Sequence, residues 1–356
     1  MSLMFRFLES QILFMNAIKL PLFADFTHPE KYGLLEKQTL NLTIRTPDNE
    51  TLGAWFILSR AYHDTLSSTS GSVETHIRPA LTKHRTILFL HGNSATRAFQ
   101  PRVQYYQTFT RHLGTNVLAV DYRGFADSTG TPSETGLVCD ARSAWDWLLG
   151  EGARPEDILV VGHSLGTGVA SQLGAQLSKE GIGCCGVVLL SPFSSVPEAL
   201  STYNIFGAIP LMKPLSLIPP LPSMITQALI HKFDTLSTIS DIKYPILIAH
   251  ATDDWVIPHT HSDVLFTALL EPALPHHPPP RNALHLTLEE VAAEEDRRAR
   301  REELVTHTDL PGVGGVDVGE REGRRVVLVK TDKGGHDYIG VQEGVWEAIG
   351  TSFGFF

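Results

Sequence analysis

Six continuous apolar runs constrain the fold of this 356-residue chain more than any other feature of its sequence. They begin near residues 85, 116, 157, 186, 244 and 325, and helical patterns lie between several of them. A strand that is apolar at every position is buried on both faces, which is typical of a parallel sheet covered by helices. The runs therefore predict an α/β fold with a mostly parallel central sheet and helices on both faces.

Three segments lie outside this alternation. Residues 40–45 and 53–60 flank a Pro-Asp-Asn-Glu turn and predict an antiparallel hairpin at the N-terminal side of the sheet. Residues 194–242 are rich in proline and large apolar residues without a strand pattern, so we interpret them as an inserted cap. The stretch of about 272–323 combines prolines, the charge-dense LEEVAAEEDRRARREEL and a glycine-rich end. It predicts a solvated helix between two flexible arms that carries no chemistry.

The chain as a whole divides into an apolar N-terminal segment, residues 1–35, and one domain, residues 36–356. Charged residues interrupt the N-terminal segment, so we expect neither a membrane span nor a cleaved signal peptide in it. Its apolar residues do fall on one helical stripe: Met4, Phe7, Phe14, Met15 and Ile18. Two interpretations remain open, a helix packed on its own domain and a helix in peripheral contact with a membrane surface.

Composition bounds the partners and the compartment. The net charge of −10 argues against a nucleic-acid partner, which needs a clustered positive surface. Cys139, Cys184 and Cys185 cannot form a set of paired bridges, which favours a reducing compartment. We therefore expect an intracellular protein, cytoplasmic or peripheral on an endomembrane such as the endoplasmic reticulum. No His or Cys spacing indicates zinc, and we expect neither metal nor cofactor. The sequence leaves the oligomeric state open.

The strongest chemical motif is Gly162-His-Ser164-Leu-Gly166. An apolar strand pattern leads into it and a small-residue helix pattern follows, which is the context of a nucleophile elbow. A serine at so sharp a turn leaves no room for side chains two residues before or after it, and glycine occupies both positions. The pattern predicts that Ser164 is exposed at the edge of the sheet, beside a helix N-terminus that favours negative charge.

A serine hydroxyl needs a base to take its proton and a carboxylate to orient that base. On this type of fold the acid and then the histidine follow the serine along the chain. Residues 250–258, HATDDWVIP, follow one apolar run, and Gly334-Gly-His336 follows the last. We assign Asp254 as the acid, with its neighbour Asp253 as the alternative, and His336 as the base.

Acyl transfer also needs N–H donors for the developing oxyanion. The backbone N–H of Leu165, directly after the nucleophile, is one candidate. The loop after the run near residue 85 begins His91-Gly92-Asn93, and we expect the Asn93 N–H to be the second donor. A further motif, Asp121-Tyr-Arg-Gly, closes the next run and is read as an ion-paired loop end in preference to a substrate contact.

The ordered motifs HGN, DYRG, GHSLG, HATDDWVIP and GGH resemble those of the α/β-hydrolase superfamily, over roughly residues 36–350. Within it the chain is most similar to the membrane-associated monoacylglycerol and lysophosphatidylserine lipases. The resemblance implies a cofactor-free serine hydrolase of lipid esters, with Ser164, Asp254 and His336 at the triad positions. Two features depart from that group, the N-terminus without a membrane span and the charged segment between acid and base.

The predicted function is hydrolysis of a carboxylic ester, with lipid esters such as monoacylglycerols or lysophospholipids as substrates, through an acyl-enzyme intermediate. Apolar cap residues are available for an acyl chain or for packing the cap itself: Ile205, Phe206, Leu211, Leu215, Leu221 and Met224. One alternative is a thioesterase, small-molecule carboxylesterase or amidase with the same triad. Another is a binding protein without turnover, which has no need of a nucleophile, an acid and a base together.

Overall fold

The apolar runs form the centre of a ten-stranded sheet in the computed structural model. The structure describes residues 3–66, 72–202, 204–205, 209–210, 220–274 and 287–356. The strands are β1 Thr39–Arg45, β2 Thr51–Ile57, β3 Thr86–Leu90, β4 Asn116–Val120, β5 Ile158–His163, β6 Gly186–Leu190, β7 Asn204–Ile205, β8 Ile209–Pro210, β9 Ile246–Ala251, β10 Thr306–Leu310, β11 Gly314–Arg321 and β12 Arg324–Thr331.

The strand order in the large sheet is β1-β2-β4-β3-β5-β6-β9-β12-β11-β10. The six strands from β4 to β12 are parallel, and every residue of β3, β4, β5, β6 and β9 is buried. Antiparallel pairs flank them on both sides, including the predicted hairpin of β1 and β2. The predicted α/β-hydrolase fold with a mostly parallel sheet is confirmed.

Helices cover both faces of this sheet. The described α-helices of the chain are α1 Leu3–Phe14, α2 Arg60–His63, α3 Ile77–Lys83, α4 Gln100–His112, α5 Glu134–Gly150, α6 Leu165–Glu180, α7 Val196–Thr202, α8 Pro220–Ala228, α9 Thr235–Thr238, α10 Thr260–Leu270, α11 Leu288–Leu304 and α12 Glu343–Phe353. Trp145 of α5 and Leu173 of α6 belong to the core on one face. Phe109 of α4 and Ile349 of α12 belong to the core on the other face.

The cap predicted at 194–242 lies between β6 and β9. Its described part contains α7, the short β7–β8 pair, α8 and α9. Of the apolar residues named from the sequence, Phe206, Leu211 and Leu215 lie outside the described residues, and the side chain of Met224 is exposed.

The charged segment at about 272–323 differs from its prediction on one side. Its helix is present as α11, with Thr287 and Glu290 forming a capping box at its start. The arm after the helix is wrong as a flexible arm, because β10 and β11 form an antiparallel hairpin that continues the sheet beyond β12. The glycine-rich composition hid the alternation of Val316 and Val318, which pack against the core from β11. Residues 275–286, in the other arm, lie outside the described residues.

The N-terminal helix α1 ends at Phe14, because Met15 adopts a left-handed φ of 48°. The helical stripe expected to continue through Met15 and Ile18 is therefore shorter than predicted. Phe14 is fully buried and makes edge contacts with His231 and Phe233. In the described parts of the chain no helix combines the length and apolarity needed to cross a membrane.

Candidate active site

The turn between β5 and α6 carries the serine. Ser164 has φ 51° and ψ −119°, a conformation that L residues rarely adopt. A Cβ atom at Gly162 would lie 2.3 Å from the Gly166 carbonyl oxygen, and one at Gly166 would lie 2.0 Å from the Leu90 carbonyl oxygen. Only glycine fits at either position, so the motif and its sharp turn require each other.

Three residues far apart in the sequence meet at this turn. The Ser164 Oγ atom lies 2.9 Å from the His336 Nε2 atom, and the His336 Nδ1 atom lies 2.8 Å from the Asp254 Oδ2 atom. His336 follows β12 and Asp254 follows β9, so both come from the carboxyl ends of parallel strands, at the edge where β5 also ends. The arrangement lets an imidazole accept the serine proton while a carboxylate holds its other nitrogen.

Electrostatics set the charges of this pair. Burial disfavours the imidazolium form of His336, but the charge and the hydrogen bond of Asp254 outweigh that cost and raise the pKa of His336. Burial also disfavours the Asp254 carboxylate. The charge of His336 and hydrogen bonds from His250 and His336 overcome it, and the pKa of Asp254 lies well below its usual range. Asp254 is therefore ionised at neutral pH and favours protonation of His336.

The Asp254 carboxylate is held on both oxygens. Its Oδ1 atom accepts hydrogen bonds from the backbone N–H groups of Val256 and Ile257, both at 2.9 Å. Its Oδ2 atom lies 3.2 Å from the Nε2 atom of the fully buried His250, in addition to His336. Sequence reasoning missed His250, although its place four residues before the acid, at the end of a buried strand, was a usable signal.

The alternative acid, Asp253, has a different place. Its Oδ1 atom accepts a hydrogen bond of 2.7 Å from the Gly335 N–H, directly before His336 in the chain. The carboxylate thus braces the loop that carries the histidine, whereas Asp254 contacts the imidazole itself.

The loop after β3 lies directly against Ser164. A Cβ atom at Gly92 would be 3.1 Å from the Ser164 Cβ atom, so the backbone leading into Asn93 borders the serine. Leu165 is the first residue of α6, where helix geometry leaves backbone N–H groups without a partner. These are the two positions expected to supply oxyanion donors.

His163, directly before Ser164 in the chain, has a positioning contact that the sequence did not reveal. Its Nε2 atom lies 2.8 Å from the His336 carbonyl oxygen, which can only accept, so the imidazole donates. Burial, together with the nearby charge of His336, lowers the pKa of His163 to about 4. A neutral His163 therefore ties the turn of the serine to the loop of the histidine.

The DYRG motif forms an ion-paired loop end, in agreement with the structural interpretation. Arg123 pairs with Asp140 at 2.8 Å and with Asp48 at 2.7 Å. Asp121 pairs with the buried Arg97 at 2.6 Å. Within the described ranges, no group of three His, Cys, Asp or Glu residues is placed to hold a metal ion.

Comparison with known proteins bears on this arrangement. The sequence pattern of the Alpha/beta hydrolase family matches residues 87–345, which contain the turn of Ser164, both candidate acids and His336. The chain belongs to the alpha/beta hydrolase family.

The chain is similar in sequence to curated proteins. The lysophosphatidylserine lipase ABHD12 of Mus musculus is 33% identical over 257 residues, which cover 70% of this chain and 61% of the mouse protein. Protein ABHD12B of Homo sapiens is 30% identical over 264 residues, covering 73% of this chain and 69% of the human protein. The chain thus matches about three fifths of the length of the mouse lipase.

Solved structures share the fold at lower identity. An alpha-beta hydrolase from Vibrio vulnificus superposes with a TM-score of 0.61 and 17% identity, covering 99% of this chain and 94% of its own. The esterase Pf2001 of Pyrococcus furiosus superposes with a TM-score of 0.55 and 17% identity, covering 95% and 96% of the two chains. These likenesses concern the fold of this α/β hydrolase.

Proposed function

We propose that this chain is a serine hydrolase that cleaves the carboxylic ester of a single-chain lipid, a lysophospholipid or a monoacylglycerol. The observation that carries the proposal is the continuous contact from Ser164 Oγ through His336 to Asp254, with distances of 2.9 and 2.8 Å. A hydroxyl, a base and a buried carboxylate in this order are the requirements of nucleophilic acyl transfer.

In the proposed mechanism, Ser164 attacks the ester carbonyl carbon while His336 Nε2 takes the hydroxyl proton. Asp254 keeps the proton of the neutral imidazole on Nδ1 and stabilises the imidazolium that forms. The imidazolium then protonates the leaving alcohol, and the acyl group remains on Ser164. Water repeats the sequence from the other side, with His336 again as the base, and releases the fatty acid.

The negative charge that develops on the carbonyl oxygen needs donors fixed in advance. The N–H groups of Asn93 and Leu165 are our candidates, since both border Ser164 from different elements. The N-terminus of α6, directly behind the serine, adds a favourable dipole for the same charge.

The substrate class rests on relatives and on the apolar surroundings. A curated relative is named as a lysophosphatidylserine lipase. Trp255, adjacent to the acid, is 70% exposed, and Tyr338, two residues after the base, is 43% exposed. Exposed aromatic side chains next to the triad suit an acyl chain that enters from a lipid phase.

Fluorophosphonate labelling followed by a substrate panel tests the chemistry. We expect the wild type to be labelled and Ser164→Ala, folded by circular dichroism, to stay unlabelled. In a panel of lysophospholipids, monoacylglycerols, acyl thioesters, amides and short p-nitrophenyl esters, the lipid esters should have the highest kcat/KM. Labelling of Ser164→Ala equal to that of the wild type would contradict the proposed mechanism. A preference for thioesters, amides or short esters would contradict the proposed substrate class. A wild type that is folded and inert would favour a binding protein.

Peripheral contact with a membrane surface is a second part of the proposal. Leu22 and Phe23, in the segment after α1, are 70% and 100% exposed. Exposed apolar side chains of this kind insert into the acyl boundary of a bilayer. We expect Leu22→Ser/Phe23→Ser to lower the fraction of protein that floats with liposomes, without lowering the turnover of a water-soluble ester. Unchanged flotation would overturn this part.

A further inference from the structure

The oxyanion loop, Gly92–Thr96, is held from one side by a single buried arginine. The Nη2 atom of Arg102 lies 3.1 Å from the carbonyl oxygens of Gly92 and Asn93, and 2.7 Å from that of Ser94. Arg102 is 4% exposed, so its guanidinium holds these carbonyls where little water competes for them.

Peptide planarity converts this contact into a direction for the N–H groups. In a trans peptide the carbonyl oxygen and the following N–H point to opposite sides of one rigid plane. Because Arg102 holds the Gly92 carbonyl, the Asn93 N–H is directed away from the guanidinium. Gly92 itself borders the Ser164 side chain, so this N–H is available on the nucleophile's side of the loop.

The next N–H groups of the loop are held by the N-terminal strap, Leu13–Leu20. The Ser94 N–H donates to the Phe14 carbonyl at 2.9 Å, and the Ala95 N–H donates to the Ile18 carbonyl at 2.6 Å. The strap itself continues to Leu20, whose carbonyl accepts from the next N–H of the loop at 3.0 Å. Two successive peptide groups are thus held at both ends, by Arg102 and by the strap.

Two residues of the loop that is held in this way have unfavourable backbone conformations. Ser94 and Ala95 have φ values of 55° and 52°, left-handed conformations that residues with a Cβ atom disfavour. The loop therefore gains little from its own conformational preference and depends on contacts from outside it.

The strap is fixed to a neighbouring loop by two side chains. Asn16 Nδ2 donates to the Gly124 carbonyl at 3.0 Å, and Lys19 Nζ donates to the Ala126 carbonyl at 2.6 Å. Among the described residues, neither side chain makes a hydrogen bond to the oxyanion loop or to the triad. Substituting them loosens the strap without touching the groups that react.

We propose that the strap and Arg102 form a two-sided clamp that positions the oxyanion loop, with Asn16, Lys19 and Arg102 as positioning residues. The proposal rests on the ester hydrolysis proposed above. It makes the N-terminal segment a part of the active site, in addition to any role at a membrane.

The first test is the strap variant, Asn16→Ala/Lys19→Met, in the full chain. We expect kcat for a water-soluble ester to fall about 10-fold, less than the 10²–10³-fold loss of a whole oxyanion donor, with KM within about 2-fold of wild type. Lys179→Met, at an exposed position on α6, is the matched loss of a lysine and should keep wild-type kcat. Wild-type kcat in the strap variant would overturn the proposal.

A second-site change tests whether the backbone conformation of the loop limits the activity of the strap variant. Ser94→Gly removes the penalty of the left-handed conformation, so in the strap variant it should recover kcat by about 3-fold or more. The same change in the wild type, where the clamp is intact, should alter kcat less. A strap variant that regains no activity with Ser94→Gly, at an unchanged midpoint of unfolding in urea, contradicts the clamp.

Arg102→Lys tests the other side of the clamp and serves if the strap variant does not fold. A lysine keeps the charge, but its side chain is one bond shorter, so its ammonium group does not reach the position from which the Nη2 atom contacts all three carbonyls, and kcat should fall about 10-fold at unchanged KM. Hydrogen exchange gives a readout that is independent of turnover. The Ser94 and Ala95 amides should be protected in the wild type and exchange faster in either variant. If the wild type hydrolyses no ester, the proposed function is wrong, but the hydrogen-exchange comparison still tests the clamp. Equal exchange rates of the Ser94 and Ala95 amides in the wild type and the variants would overturn the clamp.

Discussion

Replacing the proposed acid by its amide, Asp254→Asn, has an outcome that the hydrogen bonds of this site determine in detail. The Oδ1 atom accepts from two backbone N–H groups, those of Val256 and Ile257, and an amide NH2 cannot accept. The asparagine must therefore keep its oxygen on that side. Its NH2 group then occupies the place of Oδ2, facing the Nδ1 atom of His336 at the 2.8 Å contact.

An NH2 donor at that place reverses the tautomer of the base. The Nδ1 atom of His336 has to become an acceptor, so the proton moves to Nε2, which faces Ser164. A protonated Nε2 atom cannot take the serine proton. The same NH2 group also meets the Nε2 atom of His250, which donates to the Ile257 carbonyl at 3.0 Å, so the amide orientation carries a repulsive contact as well.

Two losses combine in this variant, the wrong tautomer and the missing negative charge beside the imidazolium. An inverted tautomer in a serine triad lowers kcat by about 10⁴-fold, which corresponds to about 5.4 kcal/mol of transition-state stabilisation. The loss should appear in kcat, because the acid contacts the base and not the substrate. Ser164 and the oxyanion donors remain, so a small residual rate over water is expected.

The assay is the steady-state hydrolysis of a water-soluble p-nitrophenyl ester. The rate is divided by the concentration of folded protein, and the identity of each variant is checked by its intact mass. Asp253→Asn is the matched control, since an asparagine oxygen can still accept from the Gly335 N–H. We expect that variant to stay within about 5-fold of wild type, as befits one hydrogen bond in a loop. A larger loss for Asp253→Asn, or retention of a tenth of the activity by Asp254→Asn, would refute the tautomer reasoning.

Three further outcomes follow from the packing and the charges. Gly166→Ala should lower the free energy of unfolding, measured in urea, by about 3 kcal/mol or more, because its Cβ would lie 2.0 Å from a backbone oxygen. The control Gly150→Ala meets open space and should stay within about 1 kcal/mol of the wild type. Equal unfolding midpoints for the two variants would contradict the close approach at Gly166. Phe14→Ala should cost about 3–5 kcal/mol and the 59% exposed Ile12→Ala about 0.5 or less, if the N-terminal helix packs on the domain. The pKa of His336 is raised above the ordinary value of 6.5, and the neutral imidazole is the proposed base. We therefore expect kcat/KM to rise with pH through a midpoint above 6.5. A midpoint below 6.5 would contradict the assignment of His336 as the base.

The sequence predicted the scaffold because each of its signals is local. Apolar runs identify strands buried on both faces, and the two glycines around Ser164 are required by atoms within the same turn and the neighbouring strand. The order of serine, acid and histidine at successive strand ends then follows from parallel topology, which brings the carboxyl ends of those strands to one edge. This much needs no knowledge of side-chain contacts.

The choice between neighbouring carboxylates was not local. Asp253 and Asp254 are adjacent in the chain, and only the loop conformation decides that one contacts the Gly335 N–H and the other His336. The hairpin after α11 was missed for a related reason. Its glycine-rich composition is typical of a flexible segment, and pairing with β12 supplies the hydrogen bonds that make it a strand.

By itself, the sequence determined that this protein is an α/β hydrolase with Ser164 at a strained turn, because glycine requirements and buried strands are written in short stretches. The tertiary structure decided how the proposed reacting groups are held. The contacts of His250 with Asp254, of Arg102 with the Gly92–Thr96 loop and of the N-terminal strap with that loop all join separate elements of the fold. Such contacts depend on where backbone carbonyl and N–H groups point after folding, and no periodicity of side chains records that direction.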